Sequence, residues 1–194
     1  MNFLAHAYLS FNNPDIMAGN FIADFVKGSD YNQYPEAMKQ GILLHRDIDH
    51  FTDQHEQVRE SKSRLYGQYR HYAAVIVDMY YDHFLAANFH YFHHTPLPRF
   101  THNVYETVST YRDKLPEKAE RILYYMSRGN WLLSYARIKG IEQALNGIGH
   151  RTRFESGLEK AGHTLRSHYR LFHQDFMIFF PKAIAFAKEQ IRQL

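Results

Sequence analysis

A chain of 194 residues is long enough to bury one core of ordinary size, and 22% charged with 45% hydrophobic residues excludes a disordered or fibrous protein. The absence of cysteine excludes disulfides, thiolate metal sites and cysteine nucleophiles. The net charge of +3 is uneven: residues 1–57 carry three Lys/Arg against eight Asp/Glu, and residues 150–194 carry eight against four, so the basic end suits an acidic partner or nucleic acid.

Residues 2–11 are apolar apart from Asn2, His6 and Ser10. They lack the basic region that opens a signal peptide. Asn12-Asn13-Pro14-Asp15 is a turn signal and predicts a helix to about Val26, stopping near Gly28. Asp24 stands in it between Ala23 and Phe25. Pro35 is expected in the first turn of the next helix, which reaches about Phe51. His45 and Asp49 are four apart and share a face. That spacing lets an imidazole and a carboxylate reach one ion from adjacent turns, and it is equally the spacing of a plain structural pair. A charged helix over 55–69 follows, with Arg59, Lys62, Arg64 and Arg70 expected to face solvent.

Tyr72 to Phe89 is apolar except for Asp78, Asp82, His83 and Asn88, which predicts a buried helix. Asp78 and Asp82 then point the same way, one turn apart, where like charge and desolvation both cost free energy. No Lys or Arg occurs between Arg70 and Arg99. The acids either stay on a partly solvated face or meet a divalent ion, histidines or basic groups from elsewhere. His90, His93 and His94 precede two prolines and read as helix-end caps.

Amphipathic helices are expected over 99–115 and 117–127, with short ones over 131–136 and 140–148. A long helix is expected from Phe154 to the end, kinked at Pro181. Its stripe of Phe172, Phe176, Phe179, Phe180, Ile184 and Ala187 reads as core. No strand-like alternation persists, and there is no P-loop, dinucleotide fingerprint or GxSxG elbow. No run of about 18 uncharged apolar residues suggests a membrane span. The chain therefore reads as all-α, one domain over residues 1–194, with the cytoplasm as its expected location.

His6, Asp24, His45, Asp49, Asp78, Asp82 and His83 are the polar residues set in apolar context, and all fall in the first 83 residues. Such hard nitrogen and oxygen donors suit Mn²⁺, Mg²⁺, Fe²⁺ or Zn²⁺. Their natural chemistry is hydrolysis of a phosphate ester. At these positions the sequence resembles the acyl carrier protein phosphodiesterase family. The matching stretches are Asn2-Phe3-Leu4-Ala5-His6, Gly19-Asn20-x-x-Ala23-Asp24-Phe25, Gly41-Ile42-x-x-His45-Arg46-x-Ile48-Asp49 and Asp78-x-x-x-Asp82-His83-Phe84-Leu85. Leu145-Asn146-Gly147 and Phe180-Pro181 also match.

The resemblance implies an all-helical bundle distantly similar to HD-domain phosphohydrolases. It implies release of 4′-phosphopantetheine from holo-acyl carrier protein with a divalent metal, manganese foremost. The implied partner is that small acidic protein, with no nucleic acid and no membrane; oligomeric state stays open. Asp24, His45, Asp49 and Asp78 are the expected metal ligands. His83, oriented by Asp82, is expected to act as general acid or in an outer shell, and Arg46 to bind phosphate, with His6 completing the catalytic set. The expected docking face is Arg59, Lys62 and Arg64, or else Arg151, Arg153, Arg166 and Arg170. The competing functions are an HD-type nucleotide phosphohydrolase and a non-catalytic helical module that binds an acidic partner or nucleic acid.

Overall fold

The computed structural model describes residues 1–152 and 156–193. Among the described residues there are helices and turns and no strand. In chain order the helices are α1 (Phe3–Tyr8), α2 (Pro14–Ile22), α3 (Glu36–Gln54), α4 (Glu56–Tyr69), α5 (Ala73–Ala87) and α6 (Phe89–Phe92). Then come α7 (Leu97–Ser109), α8 (Glu117–Gly129), α9 (Trp131–Ser134), α10 (Ile138–Gly149), α11 (Ala161–Ser167) and α12 (Tyr169–Arg192).

Local chemistry sets most boundaries. Asn13 caps α2 by accepting from the Ile16 N–H, and Pro14 opens the helix. The helix ends at Ile22, short of the expected Val26, because Ala23–Phe25 tighten into a 3-10 turn and Val26 is extended. Pro35 is the N-cap of α3 and lies outside its first turn. Pro96 opens α7 two residues earlier than expected, and the helix stops at Ser109. The expected long C-terminal helix divides into a 3-10 turn at Leu158–Lys160, then α11 and α12. Its expected start at Phe154 lies outside the described residues. α12 continues through Pro181.

The core forms around α5. Ile76, Val77, Met79, Tyr80, Tyr81, Phe84 and Leu85 are each at most 1% exposed. The helix packs against α1, α4, α10 and α12. The α12 stripe meets it through tilted and edge-on rings, with Tyr80–Phe172 centroids 5.0 Å apart and Tyr81–Phe176 centroids 5.5 Å apart.

Two glycines set the approach of α2 to α3. A Cβ on Gly19 would overlap the Met38 carbonyl oxygen, and one on Gly41 would overlap the Ile16 carbonyl oxygen. Only hydrogen fits where these backbones touch. Asn20 is the next residue in α2, and His45 is one turn beyond Gly41 in α3, so the same crossing brings Asn20 against His45.

The expected basic face of α4 does not survive packing. Lys62 is buried, with Nζ 2.6 Å from Asp53. Arg64 is taken up by Asp175 and by Glu60, and Asp175 also accepts from Ser61 at 2.7 Å. Burial of an unpaired ammonium or guanidinium is costly, so these cations fold toward acids. Arg59 and Arg70 remain exposed.

Candidate functional site

The 3-10 turn after α2 carries Asp24, α1 carries His6, α3 carries His45 and Asp49, and α5 carries Asp78. The imidazoles of His6 and His45 stack, with centroids 3.8 Å apart and planes at 11°. His6 Nε2 lies 3.1 Å from Asp49 Oδ1. His45 Nε2 lies 3.3 Å from Asp24 Oδ1 and 3.2 Å from Asp49 Oδ2. One donor atom from each of His6, His45 and Asp49 falls within 4.8 Å of the others.

Asn20 organises this cluster. His45 Nδ1 sits 3.0 Å from the Asn20 carbonyl oxygen and 3.1 Å from its Oδ1. Two acceptors require a donor, so Nδ1 carries the proton. The amide nitrogen of Asn20 donates to the His6 carbonyl at 3.1 Å and to Ser10 Oγ at 3.2 Å. Asn20 thus holds the α1 backbone and the His45 ring together. It is buried, and in the sequence it stands as a lone amide in the helix PDIMAGNFI, within the matching stretch Gly19-Asn20-x-x-Ala23-Asp24-Phe25, without a role of its own assigned to it.

Two ring nitrogens are left over. His6 Nδ1 and His45 Nε2 are buried and have no hydrogen-bond partner. His45 Nε2 is within ion-pair distance of two carboxylates but aligned with neither for a hydrogen bond. Buried polar atoms without partners are uncommon and costly in folded proteins. A cation among these donors would satisfy them.

The electrostatics divide the two histidines. Burial, then the charge on His45, pushes His6 down to about 4, so it is neutral and donates from Nε2 to Asp49. Burial also acts to lower His45, but with no cation among them Asp24 and Asp49 outweigh it and hold the ring up at about 9, so a bound cation would displace the Nε2 proton. His45 in turn keeps Asp24 below its ordinary value. Burial acts against ionisation of Asp49, yet His45, His6 and the Met1 ammonium keep it well below the carboxylate range.

The α-amino group of Met1 was not anticipated. It donates to Asp49 Oδ1 at 2.9 Å and lies 3.4 Å from Asp78 Oδ1. Burial would lower it, but the carboxylates, Asp78 first, push it up to about 11. This ammonium is the counterion that residues 71–98 do not supply for Asp78.

The remaining expected residues sit elsewhere. Asp82 does not orient His83. It accepts from the Leu4 N–H at 2.9 Å and the Ala5 N–H at 3.0 Å, capping α1. Even so, burial dominates and raises its carboxyl to about 7. His83, about 100° further round the helix than Asp82, faces a different neighbour. Its Nδ1 is 2.7 Å from the Tyr135 carbonyl oxygen and its Nε2 is 3.1 Å from the Tyr169 hydroxyl. Among the described residues, no hydrogen bond or ion pair joins His83 to Asp24, His45, Asp49 or Asp78. Arg46 spends its donors on the Gly28 carbonyl at 2.8 Å and the Val26 carbonyl at 3.0 Å, and it lies over the Tyr31 ring. It ties down the loop behind Asp24. His93, of the expected capping group, accepts from the Thr95 N–H.

The family model described as acyl carrier protein phosphodiesterase matches residues 1–183. The chain belongs to this family. Acyl carrier protein phosphodiesterase of Photorhabdus laumondii is 33% identical over 182 residues, 93% of this chain and 92% of the relative. That of Enterobacter sp. strain 638 is 30% identical over 191 residues, 98% and 99% of the two chains. That of Salmonella agona is 31% identical over 186 residues, 95% and 96%. No solved structure matches the chain. Among the described residues, no helix of this family member is long and apolar enough to cross a membrane.

Proposed function

We propose that the chain is a metal-dependent phosphodiesterase that hydrolyses the 4′-phosphopantetheine group from holo-acyl carrier protein in the cytoplasm. The observation that carries this reading is His45. Its Nδ1–H is committed to Asn20, and its Nε2 is buried, unpartnered and flanked by Asp24 and Asp49. An outer-shell carbonyl fixing the tautomer of a ring whose other nitrogen faces carboxylates is the arrangement of a metal-ligating histidine. Family membership supplies the substrate class.

In this reading His45, Asp49 and Asp24 would hold the ion, with manganese the first choice among hard divalent cations. His6 orients Asp49 through its Nε2–H, and its own Nδ1 stands ready as a further donor. Asp78 balances the Met1 ammonium beside Asp49. When bound, a divalent ion lowers the pKa of water and neutralises charge on phosphoryl oxygens.

The chain closes the inner side of the site with the stacked imidazoles and leaves Asp24 as its open edge, with a side chain 67% exposed. The substrate phosphodiester enters past Asp24. Hydrolysis joins a water oxygen to phosphorus, breaks the bond from phosphorus to the carrier's serine oxygen, and passes a proton to that oxygen. We give Asp82, His83 and Arg46 positioning duties: Asp82 seats α1, His83 bridges α5 to α12, and Arg46 seats the Asp24 loop.

The test is mass spectrometry of holo-acyl carrier protein incubated with the protein and Mn²⁺. The expected product is the apo-carrier with free 4′-phosphopantetheine, and no conversion after chelation. An unchanged carrier mass with Mn²⁺ present rejects the reading.

A further inference from the structure

The pocket at the histidine cluster is small. It is lined by His6, Asn20, Asp24 and His45 and holds about 10 Å³, the scale of a single water. A much larger cavity of about 430 Å³ adjoins it. The two share Asn2 and Phe3 as lining residues. The N-terminal residues are therefore a partition: the Met1 ammonium faces Asp49 and Asp78, and the next two residues face both spaces. The large chamber has the volume of a small-molecule site, which runs from about 300 to 1,000 Å³.

Its walls describe the ligand. Met79, Ile122, Trp131, Tyr135, Ala144 and Ile148 make it mainly apolar. Asn2, Ser134 and Gln143 add uncharged groups able to bond amides. Gly147 leaves room for a chain to lie against backbone, since an added Cβ there meets nothing within 4 Å. Among the described residues no carboxylate lines it, and Arg151 is the one cation. A phosphate is not what this chamber is built for. A neutral chain of methylenes and amides is.

We infer that this chamber binds the pantetheine arm of the prosthetic group while its phosphate sits at the open Asp24 edge of the His6–His45 cluster. The inference rests on the phosphodiesterase reading and locates the substrate within it. A diester has two sides. The carrier's serine side must face solvent, because a whole protein is attached to it. The arm is the side that enters. The chamber next to the cluster receives it past Asn2 and Phe3, and the arm's amides meet Gln143 and Ser134.

The experiment uses two chamber-filling variants and the chain's single tryptophan, Trp131, as reporter. Ala144→Phe projects a ring into the chamber. Gly147→Leu adds bulk where an added Cβ meets nothing within 4 Å. Two positions are used so that a folding defect in one leaves the other readable. KM and kcat for holo-carrier hydrolysis are measured, and wild type is titrated with pantetheine, the arm without its phosphate, while Trp131 emission is followed. The expected result is a shift of Trp131 emission in wild type that both variants lose. KM should rise at least about tenfold in the variants, with Mn²⁺ content and melting temperature as in wild type. Where wild type hydrolyses the carrier, a KM within about twofold of wild type in both variants overturns the arm site and leaves the phosphodiesterase reading standing. Where wild type hydrolyses no carrier, that reading fails by itself and emission decides: a response to pantetheine keeps the arm site, and silence removes it.

Discussion

The His45 ring nitrogen Nδ1 lies 3.0 Å from the Asn20 carbonyl oxygen, and the Asn20 amide reaches back 3.1 Å to the His6 carbonyl. One buried amide thereby fixes the tautomer of one imidazole and the backbone position of the other. Asn20→Leu removes all three side-chain bonds, to His6, Ser10 and His45, and keeps the backbone carbonyl's bond to His45 Nδ1. We expect Mn²⁺ affinity and kcat/KM to fall about 10–100-fold, the range for outer-shell partners of a metal histidine. Isothermal titration with Mn²⁺ and steady-state kinetics check it. Unchanged affinity in Asn20→Leu removes Asn20 from the site.

Asp49 touches His6, His45 and the Met1 ammonium. Asp49→Ala and treatment with EDTA should each reduce hydrolysis by more than about a hundredfold, beyond the outer-shell range. Far-UV circular dichroism should stay near wild type, since Asp49 is half exposed and α3 is held by its apolar face. Full activity in the chelated protein defeats the metal site.

The Gly41 hydrogen faces the Ile16 backbone. Gly41→Ala should force α2 and α3 apart and cost about 1–3 kcal/mol, as overpacking does. Urea unfolding measures the cost. Activity per folded molecule should also fall, because the same displacement separates Asn20 from His45. A stable variant with normal activity shows that the crossing tolerates a methyl group.

Both ring nitrogens of His83 are bonded to Tyr135 and Tyr169. Burial, aided by His173, holds its pKa below the ordinary value of about 6.5. The folded state therefore resists a proton that the unfolded state accepts. Stability from the neutral ring is full above about 6.5 and is lost as pH falls below it. Asp82 and His45, raised to about 7 and about 9, act in the opposite sense over this range, so the sign of the difference is the test: from pH 7 to 5.5 the melting temperature of wild type should fall relative to that of His83→Gln. That variant should keep kcat per folded molecule within a few-fold, whereas loss of kcat with normal stability would restore His83 as a general acid.

Lys62, Arg64 and Arg166 are paired with acids, and Arg153 lies outside the described residues. The exposed cations beside the large chamber and the neighbouring groove are Arg137, Lys139 and Arg151. Reversing these three to Glu should raise KM for the acidic carrier, more at low salt than at high, with little change in kcat. Reversing Lys62 and Arg64 should instead lower stability, because Asp53 and Asp175 lose their partners. A flat KM over about 0.05 to 0.5 M salt in wild type argues against electrostatic docking.

Periodicity alone made the chain all-α, placed α5 at its centre and put His45 and Asp49 on one face, because side-chain direction follows from 3.6 residues per turn. It also marked Asp24 and Asp78 as acids without local counterions. What answered them required the fold. Asp82 and Asp78 look alike in sequence, yet one meets the α1 amides and the other the Met1 ammonium. Arg46 is beside His45 in the chain and serves loop carbonyls, and Lys62 reads as solvent-facing and is buried on Asp53. Local rules determine which face a residue occupies. Which groups meet across that face is set by how closely helices cross, and here Gly19 and Gly41 set that crossing by having no Cβ to hold the backbones apart.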